Sequence, residues 1–195
     1  MDEDIRTDLI LFEEKGEQNT SKCFDLVKDR MEERAVEKVV VASTSGENGV
    51  RALRKFEDLE VKIVVVSHQF GYKKDGKIEF DDQKRKKIER ADNASLVVTS
   101  DLLTRVPKMF RGKYGGSTKL DIIADTLRIF SEGVKVCVEC SVQATDSGEI
   151  SPGEEVAVIA GTAHGADTAV ILESAHSHKL FEFDIKEIIC IPRDR

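Results

Sequence analysis

A chain of 195 residues with 40% hydrophobic content has the length for one domain, at most two, and for a sizeable core. Its formal net charge of −7 argues against nucleic acid as the main partner, no apolar run is long enough to cross a bilayer, and four cysteines in so long a chain form no disulfide framework. The acidic start Met1-Asp2-Glu3-Asp4 is no secretory signal, so a cytoplasmic protein without a membrane partner is expected, and the 34% charged content with few Asn and Gln leans towards a thermophilic source.

Residues 1–19 are acidic and without a period. Their one apolar cluster, Leu9-Ile10-Leu11-Phe12, is expected to lie as a short segment against the body. Asn19-Thr20-Ser21 supplies a helix cap, and Cys23, Val27 and Met31 recur at i, i+4, i+8, which predicts an amphipathic helix over 20–35.

Lys38 to Ala42 is a short β-branched run, hence a central strand. Val50, Leu53 and Phe56 follow at helical spacing. Between strand and helix lie Ser43, Thr44, Ser45, Gly46, Glu47, Asn48 and Gly49. A strand that turns sharply into a helix leaves the first helical N–H groups without partners, and the helix dipole adds positive charge there. Such a turn holds an anion such as phosphate. The hydroxyls also suit plain helix capping, but three in a row before a glycine exceed what one cap needs.

Val61 to Val66 is a second apolar strand. It ends in Ser67-His68-Gln69-Phe70-Gly71-Tyr72, beyond the carboxyl end of a strand, where open α/β sheets bind ligands. His68 is therefore either a ligand-facing group or a loop histidine bonded to backbone. Lys73 to Arg90 holds eight basic and five acidic residues. The interleaved acids favour a solvated loop and helix face, anchored by Phe80 and Ile88, over a nucleic-acid patch. Ser95 to Thr99 is a third strand, and strands alternating with helices imply a parallel sheet.

Asp101 can cap a helical turn carrying Leu102, Leu103 and Val106, which Pro107 is expected to interrupt. Gly115-Gly116 marks either a hinge or a second anion contact, with Ser117 as the next cap. Leu120, Ile123, Ala124 and Leu127 predict a helix over 118–131. Residues 133–148 fit both a strand and a helix, and helix is chosen. Within it Cys137 and Cys140 spell C-x-x-C, but their apolar setting points to buried structural thiols rather than a redox pair. Glu139 faces solvent or reaches the site from a buried helix.

Val156 to Ala160 and Thr168 to Leu172 are strands joined by Gly161, Thr162, Ala163, His164, Gly165, Ala166 and Asp167. The loop is short enough for an antiparallel hairpin. Its small residues allow close backbone approach, and His164, Thr162 and Thr168 offer donors; glycines serving an ordinary hairpin explain the same composition. His176 and His178 lack metal-binding company and are read as surface residues. Glu187 to Ile191 is a closing strand.

Ser43-Thr44-Ser45-Gly46 after a strand, together with Gly161 to Thr168 between two late strands, resembles the carboxy-terminal domain of pyruvate kinase, in which the corresponding loops grip the phosphates of a sugar bisphosphate effector. The resemblance runs from about residue 20 to residue 172 and shares the order of elements. The chain looks still more like a family of stand-alone archaeal and bacterial proteins described as pyruvate-kinase α/β-domain-like. Val66-Ser67-His68, Ile123-Ala124-Asp125-Thr126-Leu127-Arg128, Val158-Ile159-Ala160-Gly161-Thr162 and Gly165-Ala166-Asp167-Thr168 carry that pattern.

The resemblance implies one α/β domain over 1–195, a three-layer α/β/α fold with a mostly parallel sheet and a late antiparallel hairpin. It implies that the two loops meet at one end of the sheet around a phosphorylated small molecule, with FMN the leading candidate. Ser43 to Asn48 would take the phosphate. His68, Gly115, Gly116 and the loop Gly161, Thr162, His164, Gly165, Ala166, Asp167 and Thr168 would line the rest. Nothing in the chain supplies the kinase barrel with its metal and substrate groups, so phosphotransfer to ADP is not expected. Glu47 and Asn48 stand where the kinase loop usually carries non-acidic and hydroxyl residues. Three functions stay open: a binding protein for FMN, an enzyme using His68, Glu139 and His164 as acid–base groups, and a regulatory module reporting a phosphosugar to a partner. A homo-oligomer is compatible with each.

Overall fold

The structure, a computed structural model, describes residues 4–194. Its strands are β1 (Ile10–Phe12), β2 (Lys38–Ala42), β3 (Lys62–His68), β4 (Ala94–Thr99), β5 (Glu155–Ala160), β6 (Thr168–Glu173) and β7 (Asp184–Pro192). The helices are α1 (Thr20–Arg34), α2 (Glu47–Lys55), α3 (Asp82–Glu89), α4 (Arg105–Tyr114), α5 (Lys119–Arg128) and α6 (Glu132–Asp146). All seven strands form one sheet in the order β1-β7-β6-β5-β2-β3-β4. β2 pairs in parallel with β3 and β5, β3 with β4, and β1 with β7, while β6 is antiparallel to both its neighbours. The α/β class, the mostly parallel sheet and the late antiparallel hairpin are thus present. The acidic start Met1-Asp2-Glu3 lies outside the described residues.

The valine runs explain the layering. Val39 and Val41 point to one face and join a core with Phe24, Val27, Met31, Phe56 and Ile88 from α1, the α2 end and α3. Val40 points to the other and packs with Val134, Cys137, Cys140 and Ala144 of α6. All three valines are fully buried, each worth roughly 1.5–3 kcal/mol of apolar burial. A strand buried on both faces needs a continuous apolar run, which is what β2 and β3 have. Phe80 and Ile88 are buried in the first core, as their pattern suggested.

The connectivity creates one crevice. From β2 the chain steps through α2 to β3 and through α3 to β4, with both helices on the first face. It returns through α4, α5 and α6 to β5, on the other side of β2, and then turns away into β6. The loops leaving β2 and β5 therefore depart in opposite directions at the carboxyl end of the sheet, and ligands bind at such switch points in open α/β sheets.

One local expectation is made more specific and three are corrected. Leu9 to Phe12 supplies a true edge strand, Ile10–Phe12, paired with β7. Asn19 makes no side-chain cap; its amide group donates to the Glu14 carbonyl at 2.7 Å. Pro107 does not interrupt a helix: it is the third residue of α4, in the first turn, where no intrahelical donor is needed. The cap before α5 is Thr118, in a reciprocal capping box with Asp121, rather than Ser117, and that helix ends at Arg128 because Ser131 already caps α6. Residues 133–148 are helical in the main, as α6. Among the described residues, no helix is long and apolar enough to cross a membrane.

Candidate functional site

The turn after β2 is built by its own side chains. Gly46 precedes α2 with φ 90°, and a Cβ there would lie 2.7 Å from Phe80 Cε1 and 2.8 Å from Lys84 Cβ. Glycine is required on both counts. The Ser43 hydroxyl, nearly buried, accepts from the Gly49 amide at 3.2 Å, and the Val50 amide donates to the Gly46 carbonyl at 3.0 Å. Among the described residues, the amides of Thr44, Ser45, Gly46 and Glu47 find no acceptor in the chain. They lie at the positive end of the α2 dipole. Glu47 is exposed and paired with Lys84 at 2.5 Å; that salt bridge, chiefly through its hydrogen bond, holds the Glu47 carboxyl below the usual range. Asp81 donates its amide to the Ser45 carbonyl at 3.2 Å, so the Phe80–Lys84 segment backs the turn.

The second loop meets the first. Asn48, buried, donates through Nδ2 to the Ala42 carbonyl at 3.1 Å and to the Gly165 carbonyl at 3.0 Å. Asp167 is fully buried and accepts from the Gly16 amide at 2.8 Å, the Thr162 amide at 3.3 Å and the Thr168 hydroxyl at 2.9 Å. Its carboxylate orders the loop from within. Ala166 donates its amide to Thr20 Oγ1 at 2.9 Å, and Gly165 (φ 71°) passes so close to Thr20 and Glu17 that no Cβ fits. Thr168 is buried against Ser131 and Gly133 at the start of α6. Gly161 packs tightly on the Gly165–Asp167 backbone, while His164 stays exposed, its amide donating to the Thr162 carbonyl at 2.9 Å. Sequence reasoning missed Thr20 and Gly16 as the outer support of this loop, because that support comes from the N-terminal segment.

Further along the same rim, Ser67 Oγ donates to the Thr44 carbonyl at 3.4 Å, linking the end of β3 to the turn after β2. His68 stacks on Tyr72 with ring centroids 3.8 Å apart, and its Nδ1 lies 3.4 Å from Glu79 Oε2. Burial pushes the Glu79 carboxyl up, but hydrogen bonds from Lys73 and His68 outweigh it and hold the group below its ordinary value. Arg105 also packs on the Tyr72 ring, its guanidinium carbon 3.8 Å from the ring centroid, and donates through Nη2 to the Tyr72 carbonyl. Gly115 and Gly116 lie in the exposed turn between α4 and α5 (φ 72° and 73°), where an added Cβ would meet nothing within 4 Å. The hydrogen bonds and close contacts of the described residues do not bring those two glycines to the crevice.

Beneath the rim α6 carries a buried polar stripe. Lys135, Glu139 and Gln143, at i, i+4 and i+8, are each 5% exposed or less. Glu139 accepts from the Leu103 amide at 2.6 Å, from Thr104 Oγ1 at 3.1 Å and from Lys135 Nζ at 2.5 Å. Lys135 also donates to Thr104 Oγ1. Gln143 Nε2 donates to the Ser100 carbonyl at 3.0 Å and to Asp101 Oδ1 at 3.2 Å. Burial, and then the Glu139 charge, push the Asp101 carboxyl above its ordinary value, against the lowering effects of His68, Gln143 and Lys135. Glu139 thus reaches inward, but its acceptor sites are spent on holding the β4–α4 connection. The thiols of Cys137 and Cys140 are buried and burial pushes both upward, so neither is a thiolate nucleophile. His176 pairs with Asp146 at 3.0 Å on the surface and stacks on His178.

A cavity of about 410 Å³ opens at this rim, lined by Gln69, Ser100, Arg105, Val106, Lys108 and Met109. A slightly larger hollow, about 450 Å³, lies at the opposite end of β3 and β4, between Leu59–Lys62 and Asp92–Ala94. There Asn93 donates to the Val61 carbonyl and Lys62 pairs with Glu149, so among the described residues both lining side-chain donors are already engaged. The chemistry favours the carboxyl rim. No model of a known protein family matches the chain.

Proposed function

We propose that this protein binds a phosphate-bearing small molecule, with FMN the leading candidate, and that the phosphate rests on the amides opening α2. The observation that supports this best is the set of free amides at Thr44 to Glu47, placed at the switch point between β2 and β5. Ser45 is exposed beside them and adds a hydroxyl donor. Asn48 serves the site as the strut that sets the spacing between the two loops, and Asp167 as the strut inside the second. Lys84 compensates the one acidic residue of the turn, so Glu47 is engaged sideways instead of facing a dianion. FMN is preferred over other phosphate esters on the resemblance to the stand-alone pyruvate-kinase α/β-domain-like proteins, and phosphotransfer to ADP is not part of the reading.

The visible absorption spectrum of freshly purified protein tests the flavin directly, since bound oxidised FMN colours it yellow. A thermal-shift panel of FMN, riboflavin, sugar phosphates and inorganic phosphate then separates the alternatives. Stabilisation by FMN but not riboflavin supports the phosphate-anchored flavin. Stabilisation by sugar phosphates alone points to a phosphosugar-sensing module. A bound flavin that a nicotinamide cofactor reduces catalytically points to an enzyme.

A further inference from the structure

α4 stands off the body of the fold. Of its 10 residues only Pro107 is buried, and every residue from Lys108 to Ser117 is exposed. An isolated helix of that length is marginal in water, and Gly112 weakens it further, so the packing that holds α4 has to come from another surface. Met109, Phe110 and Tyr114 are 60%, 43% and 72% exposed, and Phe110 stacks on Tyr114 with ring centroids 6.3 Å apart. The charges of α4 are all of one sign: Arg105, Lys108, Arg111 and Lys113, with no acid, in a chain of net charge −7. Arg105 is turned to Tyr72 and Arg111 to Asp121. Among the described residues, Lys108 and Lys113 make no ion pair.

A complementary segment lies at the far corner of the molecule. Residues 4–9, ahead of β1, are exposed and belong to no helix or strand. Ile5 and Leu9 are 71% and 46% exposed. Among the described residues, Asp4 and Asp8 make no ion pair. Asp4-Ile5 and Asp8-Leu9 repeat an acid followed by an apolar residue, and α4 carries Lys108-Met109 and Lys113-Tyr114, a base followed by an apolar residue. β1 and β4 are the two edges of the sheet and run in the same direction. Residues 4–9 therefore lie at the amino end of one edge and α4 at the carboxyl end of the other. Across seven strands the edges stand about 29 Å apart, while Asp4 to Leu9 reaches at most about 20 Å when extended. The segment cannot reach the α4 of its own chain.

We propose that residues 4–9 of one copy dock along α4 of a second copy. Ile5 and Leu9 cover Met109, Phe110 and Tyr114, while Asp4 and Asp8 pair with Lys108 and Lys113. The contact joins two different surfaces, so it repeats head to tail from copy to copy. It does not rest on the phosphate reading, because none of these residues belongs to the turn that opens α2.

The test is sedimentation equilibrium of the full chain over a range of concentrations. A concentration-dependent mass above that of one chain is expected, with self-association weakened about tenfold when NaCl is raised from about 0.05 M to about 0.5 M. Reversing either side, by Asp4→Lys with Asp8→Lys or by Lys108→Glu with Lys113→Glu, should weaken it about tenfold, and the chain carrying all four changes should regain the loss. Tyr114→Ser should weaken it about threefold and leave the salt dependence as it was. All five side chains are exposed, so the variants fold and report. Any thermal shift given by FMN should be the same in each of them, which separates this result from the phosphate site. The proposal is overturned if the chain is a monomer throughout, if the mass ignores either reversal, or if the four-change chain does not reassociate. A monomeric chain that pellets with phosphatidylserine vesicles, and loses this with Lys108→Glu and Lys113→Glu, would assign α4 to a membrane surface instead.

Discussion

Asn48 and Gly165, 117 positions apart, are joined by a single amide: Asn48 Nδ2 donates to the Gly165 carbonyl at 3.0 Å while also bonding the Ala42 carbonyl at the end of β2. The bond spans the mouth of the crevice, so one side chain fixes how far apart the two loops stand. Asn48→Ala leaves both carbonyls without that donor and should cost about 1–3 kcal/mol, read as a lower midpoint in urea unfolding. The same variant should make the 161–167 loop the first site cut in limited proteolysis. An unchanged cleavage pattern would show that the bond does not set the loop.

Gly46→Ala tests the turn from the inside. Its φ of 90° and the Phe80 and Lys84 atoms within 3 Å of a new Cβ oppose any side chain. We expect a loss of roughly 1–3 kcal/mol in stability, and a displaced Lys84 that no longer pairs with Glu47. Affinity for FMN should fall with it. A stable variant with full affinity would mean that the turn has another geometry.

The buried pair Lys135–Glu139 should behave non-additively. Lys135→Met leaves the Glu139 carboxylate buried beside the Leu103 amide without its counter-charge, and should cost about 3–5 kcal/mol. Adding Glu139→Gln removes the stranded charge and should recover most of that loss. Unfolding of the two single variants and the double variant measures the coupling, and simple additivity would contradict it.

Asp101 gives the stability a pH dependence of definite sign. Its folded pKa is raised above the ordinary aspartate value of 3.8 by burial and the Glu139 charge. From pH 3.8 up to the raised value, the folded chain keeps a proton that the unfolded chain releases, so this group's contribution to stability falls as pH rises. Asp101→Asn keeps an acceptor for Gln143 and removes the ionisation. It should be more stable than the parent at neutral pH and equal to it well below pH 3.8. A gain that does not change with pH would show that Asp101 is not the source.

How much of this the sequence disclosed depends on range. The turn after β2 was legible because its parts are adjacent: a valine run, three hydroxyls, a glycine and an apolar helix face. The meeting of the 43–48 and 161–168 loops was legible only through the family resemblance. The edge strand Ile10–Phe12 was not legible as a strand, since three residues carry no period and its partner lies at the other end of the chain. The α6 stripe was hidden for a different reason. Lys135, Glu139 and Gln143 have the spacing of a solvent face, and only the fold shows that the β4–α4 connection covers them. Arg105 and Tyr72 gave no local signal either, because their stacking joins the loop after β3 to the first turn of α4. Pro107 does not break α4 because the helix starts at Arg105, which puts the proline in the first turn.

The central claim is that the amides opening α2 hold a phosphate, and the most direct measurement is an FMN titration followed by backbone amide NMR. The account predicts saturable downfield shifts of the Thr44, Ser45, Gly46 and Glu47 amides, absent with riboflavin and abolished by Ser45→Glu. FMN binding with those four resonances unmoved, or an affinity for phosphorylated ligands that Ser45→Glu leaves unchanged, would contradict it.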